Sequence, residues 1–390
     1  MSSREKKFSI LFVGSQMEVA GAQRVLLSQA RWFSEHGYHV KAVFFYDKQG
    51  LAKKWQRENA FPVISLNSWR YGAFPILNFF RLLGGLLRLF RLMRRDVDVV
   101  ESFTPHSNVL AMPLAWLAGA PVRIATHHGY IEGSSGLLAR VHGWLMNSRL
   151  TSKVVAVSSQ VRDYAIDREN ILAEKLQVIE NGIEALEVSK IGAPERAALR
   201  KELGVATDDV LLLTVGRLTV QKGHTVLLKA IAKIPNDSPS VVFAFAGEGK
   251  QREILKSEAT ALGISDRIRF LGVRKDIAQL LLASDIFVQP SLWEGLSLAM
   301  LEALLSGIPV LATKVEGVVD VIENEQNGIL VSPDDADALA EGVSRLIGDK
   351  KLRTRLGRAG QSHAERHYSI DKMCGQYEEL MQQLWQEAQK

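Results

Sequence analysis

Two carboxylates, Glu294 and Glu302, bracket a turn and the start of an apolar run: Ser291-Leu292-Trp293-Glu294-Gly295-Leu296-Ser297-Leu298, continuing through Leu305. The run follows the apolar segment Ile286–Gln289 and stops at Gly307 with Pro309 just beyond, a helix-ending signal. Main-chain amides at Gly295–Leu298 would lie at the start of that helix, unpaired and able to hold an anion. Glu294 would sit in the turn and Glu302 two turns into the helix. A carboxylate accepts hydrogen bonds from paired hydroxyls, as on a sugar or a ribose. The plainer alternative is a capping Glu294 and a solvated Glu302.

A second group is Gly216-Arg217-Leu218 followed by Lys222-Gly223, directly after the strand candidate Val210–Val215. An arginine fork and a lysine point charge on one glycine-bounded loop suit a diphosphate. An ordinary basic loop would look the same. The turn from Gly14 through Gly21, after a first strand at Ser9–Val13, could bring backbone close to a phosphate, and Gly247-Glu248-Gly249 closes another strand in the same way. Neither is a dinucleotide fingerprint, because no Gly-x-Gly-x-x-Gly is present there. Thr126-His127-His128-Gly129-Tyr130 ends the strand candidate Val122–Ala125, where function is expected in an α/β sheet, although a hydrogen-bonded structural pair fits equally. A metal would need more ligands than these two histidines, and Cys374 is too isolated to help. Asp96-Val97-Asp98 resembles a metal-binding pair but introduces a strand, at the wrong sheet end. Asp334-Asp335-Ala336-Asp337 reads as a helix N-terminus.

The stretch Trp69–Arg95 holds Arg70, Arg81, Arg88, Arg91, Arg94 and Arg95 and no acid, interleaved with Phe79, Phe80 and many leucines. A basic helix with a broad apolar face lies well on an anionic membrane surface. A domain helix with snorkelling arginines carries the same pattern. Gly84-Gly85 would kink it. Nucleic acid is disfavoured, since the aromatics lie on an apolar face and do not form an exposed stacking platform.

Elements of definite kinds must position these groups. The 390 residues exceed one ordinary domain, and 47% hydrophobic with 23% charged residues excludes disordered and fibrous classes. A single cysteine excludes an internal disulfide. The net charge of +5 divides unevenly: residues 1–180 carry 23 Lys/Arg and 14 Asp/Glu, the remainder 25 and 29. The apolar run Phe8–Val13 is too short for a signal peptide, and no stretch reaches the roughly 20 residues of a membrane span. Short β-branched runs alternate with helical ones in two series. The first is Ser9–Val13, Val40–Tyr46, Val97–Val100, Val122–Ala125 and Val154–Val157. The second is Val210–Val215, Val241–Ala246, Ile268–Leu271, Ile286–Gln289 and Pro309–Ala312. The expected fold is α/β, two doubly wound Rossmann-like domains facing across a cleft, with the boundary within Ile183–Pro194. The expected division is 1–190, 191–370 and a terminal helix in 371–390.

Taken together, these motifs resemble the retaining GT-B glycosyltransferases whose signature is Glu-x7-Glu, the group 1 type of glycosyltransferase family 4. Here the signature is Glu294 to Glu302. Its companions follow in order: Ala20-Gly21, His128, Asn181-Gly182, Gly216-Arg217 with Lys222-Gly223, Gly247-Glu248-Gly249, Phe270-Leu271-Gly272, Ser284-Asp285 and Ser291. The resemblance implies an acceptor-binding first domain, a second domain that binds a nucleotide sugar, and a last helix that crosses back onto the first. Arg217 and Lys222 would hold the diphosphate, with Gly216 and Gly249 beside it. The amides of Gly295, Leu296, Ser297 and Leu298 would meet phosphate and sugar, and Glu302 the ribose. Glu294 would contact the transferred sugar, and His128, two residues after Thr126, would be the active-site histidine. Gly21 would approach the phosphate from the first domain, and Phe270–Asp276, including Arg274, would line the base pocket. Ala20 departs from the family's Gly-Gly.

The implied reaction is transfer from a UDP- or GDP-linked sugar to a glycan or lipid-linked acceptor with retained configuration, in surface polysaccharide or lipopolysaccharide biosynthesis. No cofactor or obligatory metal is implied, and no nucleic-acid partner. The expected location is cytoplasmic, with Trp69–Arg95 meeting the inner face of the membrane. Competing functions are a nucleotide-binding oxidoreductase or epimerase, a non-catalytic partner subunit, and a membrane scaffold led by the basic helix.

Overall fold

The computed structural model describes residues 7–18, 21–128, 136–184, 192–235 and 240–390. It divides into two compact units: residues 1–182 with 370–390, and residues 183–369.

The first unit is built on seven strands: β1 (Ser9–Met17), β2 (His39–Asp47), β3 (Val63–Ser65), β4 (Val99–Phe103), β5 (Val122–His127), β6 (Lys153–Ala156) and β7 (Leu176–Val178). They pair in parallel in the order β3-β2-β1-β4-β5-β6-β7. The second has six: β8 (Val210–Val215), β9 (Val241–Ala246), β10 (Ile268–Gly272), β11 (Ile286–Gln289), β12 (Val310–Thr313) and β13 (Ile329–Val331). Their order is β10-β9-β8-β11-β12-β13, again parallel. Both are doubly wound. Strand order reverses between β1 and β4 in one sheet and between β8 and β11 in the other, and ligands bind beyond the carboxyl ends of such strands.

The strands are apolar on both faces because helices cover both. In the second unit Leu211, Leu213, Val242 and Ala244 face Met300, Leu301 and Leu304. Their neighbours Leu212, Phe243 and Phe245 face Leu227 and Ile231 on the other side. The terminal helix Ile370–Ala388 belongs to the first unit. There Trp385 meets Phe8 at 5.6 Å between ring centroids, Glu378 accepts from the Tyr38 hydroxyl, and Asp371 accepts from Trp32 Nε1 at 2.7 Å.

Several sequence expectations shift. β1 runs on to Met17, so Gly14 lies within the strand and the turn begins later; Ala20 lies outside the described residues, as do Gly129 and Tyr130. β4 occupies Val99–Phe103, two residues beyond the expected start, because Asp98 holds the Ser9 amide at 3.0 Å ahead of the strand. The strands β3, β7 and β13 were not foreseen. Gly84-Gly85 does not kink the helix Pro75–Met93, which is continuous. Gly85 is needed because that helix lies directly on the chain after β3: a Cβ there would fall 1.9 Å from Ser68 Oγ.

The helix Lys350–His367 comes equally close to the turn after Leu298–Leu305, where a Cβ on Gly357 would stand 2.1 Å from the Gly307 carbonyl oxygen. Backbone cannot step aside as a side chain can. Gly357→Ala is expected to cost about 1–3 kcal/mol despite alanine's better helix propensity, and to lower the calorimetric melting midpoint of the second unit by several degrees. An unchanged midpoint would show that the two segments are not in contact.

Candidate active site

At the β8/β11 reversal two loops 72 residues apart are stitched together. The Leu292 amide donates to the Gln221 carbonyl at 2.8 Å, and Gln221 Nε2 donates to the Trp293 carbonyl at 3.2 Å. Gly223 has a left-handed φ of 62°, and a Cβ there would lie 1.9 Å from the Pro290 carbonyl oxygen, so only glycine lets the loops meet. Lys222 Nζ donates to Glu294 Oε2, which also accepts from Ser291 Oγ at 3.1 Å. Lys222 lies over Gly216, where a Cβ would be 3.4 Å from its Cε.

Around this stitch the second unit gathers Gly216, Arg217, Lys222, Glu294, Gly295, Leu296, Ser297, Leu298 and Glu302. Arg217 is exposed, and among the described residues no carboxylate pairs with it. Ser297 caps the helix Leu298–Leu305 by accepting from the Met300 amide, while its hydroxyl donates to Gln289 Oε1 at 2.7 Å. The amides of Leu296, Ser297 and Leu298 donate to no protein carbonyl among the described residues. A Cβ on Gly295 would meet nothing within 4 Å, so the space in front of this turn is open. Glu302 is 2% exposed, so it is not the solvated residue of the plainer alternative, and the helix is capped by Ser297, not by Glu294, which is 8% exposed.

Two expected donor residues have other partners. Gly249 sits against the β8 loop, where a Cβ would fall 2.2 Å from the Leu218 carbonyl oxygen, and its glycine is a packing requirement. Arg274 forks onto Asp276 at 2.8 and 2.6 Å and reaches Glu202 at 2.8 Å, which ties the loop after β10 to the helix Ala193–Glu202.

In the first unit, Gly21 opens the helix Gly21–Glu35 and is exposed. The two adjacent histidines part company. β5 extends through His127, which is fully buried. His127 Nε2 meets Glu169 Oε1 at 2.8 Å, and His142 Nδ1 meets Glu169 Oε2 at 2.5 Å. Asn108 Nδ2 donates to the Thr126 carbonyl at 3.0 Å and lies 3.3 Å from His142 Nε2. Burial alone would raise the Glu169 carboxyl, but the hydrogen bonds from His127 and His142 outweigh it and hold it at about 2. These three side chains are the one cluster of metal-ligand type among the described residues, and their ligand atoms are bonded to one another. The sequence offered no signal for it, because Glu169 is 42 residues from His127 and 27 from His142.

His128 is at the strand end, stacked on Phe103 at 5.1 Å, with Nε2 3.0 Å from Thr126 Oγ1. The Thr126 hydroxyl donates its single proton to the Ser102 carbonyl at 3.1 Å. The His128 Nε2 must therefore carry the hydrogen, which leaves Nδ1 as an acceptor. Burial, with His127 alongside, pushes its pKa down to about 3, so the ring is neutral at physiological pH.

A family model described as "Glycosyl transferases group 1" matches residues 195–363, and one described as "Glycosyltransferase Family 4" matches residues 19–185. Over 275 residues the chain is 30% identical to the UDP-Gal:alpha-D-GlcNAc-diphosphoundecaprenol alpha-1,3-galactosyltransferase of Escherichia coli, covering 68% of this chain and 71% of that one. The chain belongs to the group 1, family 4 glycosyltransferases. This transferase is also 25% identical over 367 residues to the lipopolysaccharide core biosynthesis glycosyltransferase LpsE of Rhizobium meliloti, with 93% and 95% of the two chains covered. Among solved structures it superposes on Anabaena Alr3699/HepE in complex with UDP-glucose with a TM-score of 0.83 at 25% identity, covering 96% and 99% of the chains. The two Rossmann-like sheets are thus those of a GT-B enzyme. No helix among the described residues is long and apolar enough to cross a membrane.

The histidines of the transferase give its stability a pH signature. His224, 3% exposed at the start of the helix His224–Lys233, has a pKa lowered to about 4 by burial and by Lys222, and its Nδ1 has no partner. Burial also lowers His142. A histidine whose folded pKa lies below its unfolded 6.5 contributes fully above pH 6.5, and that contribution is lost as pH falls, because the unfolded chain takes up the proton first. Unfolding free energies from denaturant titration should hold above pH 6.5 and fall steeply toward pH 4, by on the order of 3 kcal/mol for His224 alone. His224→Leu should flatten this slope; an equal slope in that variant would count against a buried neutral ring.

Proposed function

We propose that the transferase moves a sugar from a UDP-linked donor to a lipid-linked glycan, with retained anomeric configuration and without an obligatory metal, in assembly of a surface polysaccharide or lipopolysaccharide. One observation carries the donor assignment. At the β8/β11 reversal one loop carries Lys222 and the exposed Arg217, which has no carboxylate partner among the described residues, and the other carries the amides of Leu296, Ser297 and Leu298, which donate to no protein carbonyl among the described residues. Cations and amides in this arrangement fit a diphosphate. The nucleotide follows from HepE, described in complex with UDP and with UDP-glucose. The lipid-linked acceptor follows from the diphosphoundecaprenol named for the Escherichia coli relative.

Lys222 is held by Glu294. A diphosphate arriving over Gly216 competes for that ammonium, and Glu294 is released to accept hydroxyls of the transferred sugar. Arg217 and Lys222 then stabilise the charge that grows on the departing nucleotide. A phosphate oxygen of that nucleotide takes the acceptor proton on the face the leaving group vacates, which retains configuration. Glu302 accepts from the ribose hydroxyls. In the first unit His128, a neutral ring with Nδ1 as an acceptor, is suited to receive a hydroxyl.

Peripheral membrane contact belongs to the same reading. The helix Pro75–Met93 is not a buried domain helix: Phe79 is 57% exposed, Phe80 62% and Leu83 47%, and Phe74 ahead of it 75%. An exposed apolar face flanked by arginines, with no acid, suits an anionic bilayer surface.

Thermal stabilisation across a panel of nucleotide sugars identifies the donor. Arg217→Ala should lower kcat roughly 10²- to 10³-fold. Glu302→Ala should raise donor KM about tenfold or more with a smaller change in kcat. Donor affinity that is untouched in Glu302→Ala would remove the ribose assignment, and product NMR reads retention directly. In co-sedimentation, vesicles containing anionic lipid should bring down the protein at low salt, and Phe79→Asp/Phe80→Asp should stay in the supernatant. Equal sedimentation of both proteins would refute the membrane face.

A further inference from the structure

The helix Pro75–Met93 carries one residue that its inward face does not explain. Its buried stripe is Asn78, Gly85, Leu89 and Met93. Arg81 falls three residues after Asn78 and four before Gly85, on that same stripe, where an apolar side chain belongs. Unlike the exposed Arg88 and Arg91, Arg81 is drawn inward, and its Nη1 is buried without a hydrogen-bond partner. A buried donor left without a partner destabilises the fold, and such a group calls for an explanation.

Arg81 opens onto a cavity of about 470 Å³ at the carboxyl ends of β2 and β3, whose wall includes Arg70, Lys48, Tyr46, Trp69 and Tyr71. The acids nearby are already engaged. Asp47, also in the wall, accepts from the Leu51 and Ala52 amides, both at 2.9 Å, and Lys48 pairs with Glu18 at 2.6 Å. That leaves Arg70 and Arg81, and among the described residues neither has a carboxylate partner. The backbones that carry them are tied together. Asn78 on the helix clasps the Arg70 backbone, accepting from its amide and donating to its carbonyl, both at 3.1 Å, and Gly85 seats the helix on Ser68. Two guanidinium forks on tied elements, without a carboxylate partner among the described residues and with Trp69 and Tyr71 in the same wall, suit a phosphate ester next to a sugar.

We propose that this cavity is an acceptor subsite that holds the phosphate joining a saccharide to its lipid. Arg81 and Arg70 grip the phosphate, and Trp69 and Tyr71 flank the adjoining sugar. The lipid leaves the cavity along the exposed apolar residues that begin at Phe74, so the anchor and the membrane face are continuous. The inference rests on the lipid-linked acceptor reading and adds the residues that recognise the linkage.

The test is calorimetric titration of the full chain held saturated with UDP, so that the donor site is occupied, with geranyl diphosphate, inorganic pyrophosphate and geraniol as probes. Geranyl diphosphate should bind, pyrophosphate more weakly at the same site, and geraniol not at all. Arg81→Gln and the exposed-site variant Arg70→Gln should each weaken geranyl diphosphate about tenfold or more, with UDP affinity unchanged. Binding of pyrophosphate equal to that of geranyl diphosphate would assign the cavity to a free anion and overturn the lipid-linked form. Equal binding by wild type and both variants, or no binding by wild type, would overturn the subsite itself. Because the readout is binding and not turnover, a failure of the lipid-linked acceptor reading appears separately, as absence of sugar transfer to a lipid-diphosphate-linked saccharide by an enzyme that still binds geranyl diphosphate.

Discussion

Everything at the sheet reversal of the second unit hangs on one loop-to-loop stitch. The segments after β8 and β11 are joined by the Lys222–Glu294 pair, the Leu292–Gln221 and Gln221–Trp293 hydrogen bonds, and the close seat of Gly223 under Pro290. β8 and β11 are neighbours in the sheet but not in sequence, so β9, β10 and their helices exist, in this respect, to bring two short loops together. The stitch also holds a charge in place: the Lys222 ammonium is kept partly buried by the Glu294 carboxylate. Without Glu294, Lys222 would be a flexible surface cation.

The first unit reaches the same end with a buried network. Glu169 fixes His127 and His142, Asn108 ties His142 to the Thr126 carbonyl, and Thr126 sets the tautomer of His128. The ring at the strand end is thus oriented by buried groups behind it. The network is not fully satisfied, since Asn108 Oδ1 and His127 Nδ1 have no partner among the described residues, but its hydrogen bonds still favour one arrangement.

Sequence showed most readily what depends on local chemistry. The helix Leu298–Leu305 was evident from its apolar run and the Gly307/Pro309 stop, and the two-sheet organisation from alternating runs. What it concealed depends on partners far along the chain. β5 reaches His127 because a glutamate 42 residues on receives that ring. β4 could hold the fully buried Glu101 because Gln29, 72 residues earlier, donates to both its oxygens at 3.1 and 2.9 Å. The strands β3, β7 and β13 are three residues each, too short for any period to show. Gly84-Gly85 suggested a kink because the second glycine's contact, Ser68, cannot be seen from the helix itself. Arg81 was counted among six basic residues; only the helix face sets it apart from the rest.

The terminal helix has a consequence for how the protein is made. Trp385, Glu378 and Asp371 complete the packing around Phe8, Tyr38 and Trp32, yet the whole of residues 183–369 is synthesised between these partners. The second unit is continuous in sequence and can condense on the ribosome as soon as it emerges. The first unit, although it begins translation, must wait with an open apolar seam until residues 370–390 arrive. The unit that begins synthesis is thus the one whose packing is completed last.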